Sequence, residues 1–140
     1  MREDLLKKVA EKEALAILTD SLGNVIWESD KSPVAAMYGQ YFEHQFSGVK
    51  AMVLYANQAG IAMGIMAGQI PIRECHGVRM SEGGLKMFRE MGVAVTYAEL
   101  IPLVKSSKDD TKVCPIEQFL YDHRDQGEQW EFLEERFKKN

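Results

Sequence analysis

Lys50-Ala51-Met52-Val53-Leu54-Tyr55-Ala56 decides the fold. A strand with one wet face alternates apolar and polar residues; this run is nearly continuous in its apolar character and only seven residues long. Such a run belongs in a sheet covered on both faces, the setting of parallel strands joined by helical crossovers. The residues after it agree. Ala59 to Gly68 is rich in small residues and predicts a short helix, closed by Gly68 with Pro71 just beyond.

Outward from that strand the same alternation continues. A further strand is expected within Ile72–Met80, a helix capped by Ser81 and carrying Leu85, Phe88 and Met91, a left-handed stop at Gly92, and a strand over Val93–Ile101. Upstream, Asp4–Lys12 reads as a short amphipathic helix. Ala14–Thr19 and Asn24–Glu28 form a hairpin across Asp20-Ser21-Leu22-Gly23. Ser32-Pro33 supplies a cap and a first-turn proline, and Val34, Met37, Tyr38 and Tyr41 continue at helical spacing toward Gly48. Lys105–Lys112 reads as a solvated polar loop, and helical segments carrying Phe119, Leu120, Trp130, Leu133 and Phe137 end the chain. The expected architecture is one α/β domain over residues 1–140: a mixed sheet of about five strands with helices on both faces.

Composition narrows the function classes. With 140 residues and 46% apolar content the chain can bury a core without metal or disulfide staples. A net charge of −4 and mixed basic and acidic residues argue against binding a nucleic-acid backbone. The opening Met1-Arg2-Glu3-Asp4-Leu5-Leu6-Lys7-Lys8 lacks a signal peptide's apolar region, and Lys50, Asn57, Gln58 and Gln69 interrupt the longest apolar candidate, Gly48–Ile72. A cytoplasmic protein with no membrane partner is expected. Its two cysteines, not spaced as CxxC, suit reduced thiols. A homodimer is the default, because symmetric pairs are the commonest oligomers.

Cys114-Pro115-Ile116-Glu117 is the stretch with most chemical promise. Proline at the first helical position and glutamate at the third make Cys114 an N-cap, with Glu117 reaching back to its N–H. The positive end of a helix lowers a thiol pKa from about 8.5 toward roughly 3.5–7.5, which would make Cys114 a catalytic nucleophile or redox centre. The structural alternative is a small residue tucked under the C-terminal helix. A nucleophile also wants a base, and His123 lies near the far end of the same short helix, while His44 and His76 are remote in sequence. Cys75 and His76 are strand neighbours on opposite faces, one expected in the core and the other partly exposed, so they do not make a metal site.

Two further turns are candidates for ligand contact. Asn57 and Gln58 precede Gly60, which with Gly64 and Gly68 makes a bare helical face that admits a ligand or, more simply, lets the helix pack closely on the sheet or on a second copy. The Gly-Lys-Ser/Thr ending of a P-loop is missing. Ser81-Glu82-Gly83-Gly84 opens the next helix. Both turns fall at the carboxyl ends of strands, where open α/β sheets bind ligands. The candidate ligand-binding set is therefore Asn57, Gln58, Gly60, Ser81, Glu82, Gly83, Cys114 and Glu117.

The order of elements resembles the cytidine deaminase-like fold, a three-layer sandwich. Ala51-Met52-Val53-Leu54 through Gly60, Ser81-Glu82-Gly83-Gly84, Glu99-Leu100-Ile101-Pro102 and Cys114-Pro115-Ile116-Glu117 look like a small uncharacterised prokaryotic domain family assigned to that fold. Zinc deaminases place a His or Cys and a catalytic Glu at the start of the helix after the hairpin, and Pro-Cys-x-x-Cys at the start of the next. Here these positions fall near Ser32-Pro33-Val34-Ala35-Ala36 and Asn57-Gln58-Ala59-Gly60, and neither contains His, Cys or Glu. The resemblance thus implies the fold without its metal: no zinc, no other cofactor and no deamination. The leading expectation is a domain that binds or senses a small molecule of nucleoside-like chemistry. The alternatives are an enzyme or redox sensor using Cys114, and a homodimeric interaction module docking through Ala59–Gly68.

Overall fold

The computed structural model describes residues 1–138, and its elements follow the expected order. Helix α1 (Glu3–Ala10) precedes the hairpin strands β1 (Ala16–Asp20) and β2 (Val25–Ser29). Then come α2 (Pro33–Phe42), β3 (Met52–Ala59), α3 (Ile61–Met66), β4 (Ile72–Ser81), α4 (Glu82–Glu90) and β5 (Ala94–Ile101), followed by α5 (Pro115–Asp122) and α6 (Gln126–Phe137). The five strands form one sheet in the order β2-β1-β3-β4-β5. β1 runs antiparallel to both of its neighbours, whereas β3, β4 and β5 are parallel.

The apolar run of the central strand does what its composition requires. Met52, Leu54 and Ala56 point into the larger core beneath α2 to α6; Val53 and Tyr55 point the other way, where Leu5 and Val9 of α1 cover them. One face therefore carries five helices and the other a single helix. The hairpin turn is held by Asp20, whose Oδ1 accepts the N–H groups of Leu22 and Asn24 at 2.9 Å, with Gly23 at φ 87°.

Several boundaries differ from the expectation, each for a local reason. β3 does not stop at Ala56, because β4 continues to pair with it through Gln58↔Arg79 and Ala59↔Met80. Asn57 and Gln58 are strand residues, and α3 is correspondingly short. α2 stops at Phe42, after which His44 (φ 60°) and Gly48 (φ 85°) take left-handed conformations that no helix accommodates. Ser32 is itself left-handed at φ 41° and gives α2 no side-chain cap. Ser81 does cap α4, accepting from Gly84 N–H at 3.0 Å.

Helix α3 is buried along its whole length. A Cβ on Gly64 would lie 2.8 Å from Met87 of α4, and one on Gly68 would lie 3.0 Å from Met91 Sδ, so the bare face serves packing within the chain. The expectation that Ala59–Gly68 docks a second copy is corrected for Ala59–Met66, which its own chain covers; only Ala67 and Gly68 are left partly open. His76 is also corrected. It is buried together with Cys75, its ring within hydrogen-bonding distance of Thr96 Oγ1 (2.6 Å) and Glu74 Oε1 (3.2 Å) and packed on Tyr55.

Candidate functional site

A cleft of about 580 Å³ opens at the carboxyl end of β3. Three helices begin on it: α2 through Ser32 to Ala35, α3 through Gly60, and α5 through Cys114 to Glu117. The segment Val104–Asp110 forms its rim, and Lys12, Arg136 and Phe137 complete the wall. Both helix starts compared with the zinc deaminases in the sequence, Ser32–Ala35 and Asn57–Gly60, thus reach one cavity.

Five of the eight expected ligand-binding residues line it: Asn57, Gln58, Gly60, Cys114 and Glu117. Ser81, Glu82 and Gly83 do not. The Ser81–Gly84 turn lies behind Gly60, where a Cβ on Gly84 would come within 2.7 Å of Gly60 Cα and one on Gly83 within 2.8 Å of Ile61 Cδ1. Glu82 faces a separate shallow depression along α4. Sequence alone does not separate the two cases, because close helix packing and ligand approach demand the same small residues.

Glu117 is the residue whose role differs most from the expectation. It does not reach back to Cys114, whose N–H donates instead to Val104 O at 2.9 Å. Only 3% exposed, its carboxylate accepts from Ile61 N–H at 2.9 Å and from Val104 N–H at 3.1 Å. Glu117 therefore caps α3 from a distant part of the chain, where a carboxylate suits the positive helix end. Gly60 must be glycine for this to happen, since a Cβ there would lie 2.6 Å from Glu117 Oε1 and 2.5 Å from Val104 Cγ2. The acidic residue is legible in the sequence; its partners, 56 and 13 positions away, are not.

Asn57 and Gln58 are also engaged by their own chain. Asn57 Nδ2 donates to Val9 O at the end of α1 (2.9 Å). Gln58 imitates a strand neighbour, Oε1 accepting from Lys105 N–H at 2.8 Å and Nε2 donating to Lys105 O at 3.2 Å. These side chains shape the cleft and hold its rim. Arg79 adds a third tie, pairing with Asp110 at 2.7 Å. Hydrogen bonds from Arg79 hold the Asp110 carboxyl below the usual range, and the charges of Arg79, Lys12 and Lys105 act in the same direction.

Cys114 stands at the start of α5 in extended conformation, half-buried, and its side chain makes no capping hydrogen bond. Cys75 is enclosed in the core, and burial pushes its thiol far above the ordinary range. Among the described residues no histidine lines the cleft: His76 is buried against Tyr55 and Thr96, and His123 is stacked on Phe119 at the end of α5. Cys114 therefore has no imidazole base at hand. Among the described residues no group of three or more His, Cys, Asp or Glu side chains could share a metal ion, and no helix is long and apolar enough to cross a membrane.

The rest of the wall is not apparent from the sequence. Val104–Asp110 overlaps the segment expected as a solvated loop, and Lys12 and Arg136, near opposite ends of the chain, carry no signal of meeting there.

Comparison with curated proteins gives no match. Among solved structures, the crystal structure of a DUF1893 family protein (TM1506) from Thermotoga maritima superposes with a TM-score of 0.72 over 96% of this chain and 88% of that one, at 21% identity. That likeness establishes a shared fold. The model of the TM1506 family, a domain of unknown function (DUF1893), matches residues 5–137, and the chain belongs to that family.

Proposed function

We propose that this protein binds a small molecule in the cleft at the end of β3, as a non-deaminating ligand-binding or sensing domain. The observation that carries the proposal is the cleft itself: about 580 Å³, a size suited to a metabolite, with walls already fixed by side chains that hydrogen-bond the chain. We also infer a cytidine deaminase-like fold. The order of elements supports it, as does the meeting of the α2 and α3 starts in one cavity. A nucleoside-like ligand rests on that analogy. The helix starts offer no ligand set for zinc, so water activation by a metal has no support in these residues.

The binding reading is preferred to a thiol enzyme, because Cys114 reaches the cleft without an imidazole and both Glu117 oxygens already accept N–H groups. A cytoplasmic location is proposed from the two free, separated cysteines. If the protein forms a homodimer, it must use a surface other than α3.

The test uses Cys114 as reporter. Alkylation with iodoacetamide is followed by mass spectrometry in the presence of a panel of nucleosides and other metabolites, alongside thermal unfolding. A ligand is expected to raise the melting temperature and to slow modification of Cys114. Ala35→Trp, which fills the cleft from an exposed position on α2, should abolish both effects, and Cys114→Ser should retain the thermal one. Equal stabilisation of wild type and Ala35→Trp, with Cys114 unprotected, would show that the cleft is not the site.

A further inference from the structure

The charges of the cleft wall divide in an uneven way. Its three carboxylates are all engaged: Glu117 by two backbone N–H groups, Asp110 by Arg79, and Asp109 by the N–H and hydroxyl of Thr111. Its four cations, Lys12, Lys105, Lys108 and Arg136, are not. Among the described residues none of them makes an ion pair with a carboxylate. This happens in a chain whose net charge is −4. Although Lys12 and Lys105 act on the Asp110 carboxyl, the four cations outnumber the three carboxylates of this one concavity, and Asp110 is already paired with Arg79, so the balance of charge there is positive. The starts of α2 and α5 open on the same space, neither capped by a side chain, and their dipoles have the same sign.

We propose that the molecule bound in the cleft is an anion bearing a phosphate-like group, seated against Lys105 and Lys108 on the rim and facing Lys12 and Arg136. The inference rests on the cleft being the binding site and adds the charge of its occupant. Ordered N–H and ammonium donors suit a phosphoryl group, which offers several acceptor oxygens to donors arriving from different sides. Ser106 and Ser107, between the two rim lysines, bring hydroxyl donors to the same stretch.

The experiment is calorimetric titration of the full chain with pyrophosphate and, separately, with an uncharged nucleoside, at low and at high salt. Pyrophosphate is expected to bind, to weaken as salt is added, and to bind roughly tenfold or more weakly to the double variant Lys105→Gln, Lys108→Gln. Ala35→Trp should remove its binding. Thermal unfolding of the double variant is measured alongside, since replacing two lysine heads on the rim should leave the fold intact. Nucleoside binding that Ala35→Trp abolishes, with no binding of pyrophosphate, would overturn the anionic proposal and leave the cleft reading standing. Pyrophosphate binding indifferent to the rim lysines and to Ala35→Trp would place the anion elsewhere and likewise overturn it. If neither compound binds, the anionic proposal falls, and the cleft reading is decided separately by the metabolite panel and Cys114 protection.

Discussion

Glu117 concentrates the physics of this protein in one side chain. Its carboxylate satisfies two backbone donors from separate segments, and a buried donor left without an acceptor costs about 1–3 kcal/mol. Glu117→Ala is therefore expected to lower stability by roughly 2–4 kcal/mol in chemical denaturation, with Glu117→Gln falling between it and wild type. Asp110 behaves differently because it is exposed. Arg79 lowers its pKa in the folded chain, so the folded state sheds its proton more readily than the unfolded one. The stabilisation is complete above the ordinary value of 3.8 and is lost as pH falls through the lower, folded value. A carbon-detected NMR titration should place the Asp110 midpoint below 3.8 in wild type and move it upward in Arg79→Gln. Neither role is readable from the sequence. Glu117 is recognisable as a helix-start residue, but a spacing of three makes a capping box the simplest inference, and only the folded chain brings Ile61 and Val104 to it.

Elements divide into those whose reasons are local and those whose reasons are not. The central strand, the Asp20 turn and the Ser81 cap are legible because each depends on residues within a few positions: an unbroken apolar run, an aspartate before a glycine, a serine before an open first turn. The end of β3 is not, since it is set by β4 continuing to pair, nor is the short α2, which stops where backbone conformations change hand. The glycines show the same division. Gly39 lies inside α2 with nothing within 4 Å of an added Cβ, whereas a Cβ on Gly84 would meet the backbone of Gly60 at 2.7 Å. Gly39→Ala should therefore raise stability by roughly 0.5–1 kcal/mol, the usual helical preference for alanine. Gly84→Ala should lower it, because the contact is with main chain that cannot swing aside. Thermal unfolding of the two variants checks both signs, and a gain for Gly84→Ala would contradict the packing of α3 against α4.

For the whole molecule, the last helix matters more than its position suggests. α6 places the fully buried Leu133 in the main core and packs Trp130 and Phe137 on Tyr38, whose hydroxyl donates to Ala62 O in α3 at 2.6 Å. Burying each large apolar side chain contributes about 1.5–3 kcal/mol, so three together approach the roughly 5–15 kcal/mol margin of a typical domain. A chain ending at Asp125 should lose its cooperative thermal transition and expose apolar surface to a hydrophobic dye; retention of a sharp transition would show that α6 is dispensable. The rim of the cleft has a consequence of another kind. Gln58, Arg79 and Glu117 tie Val104–Asp110 to the sheet and to α5 before anything enters. Under the proposed binding role, an arriving molecule would meet a finished mould, and no closing step need intervene between encounter and capture. In rapid mixing, the observed rate should climb in a straight line with concentration and show no plateau.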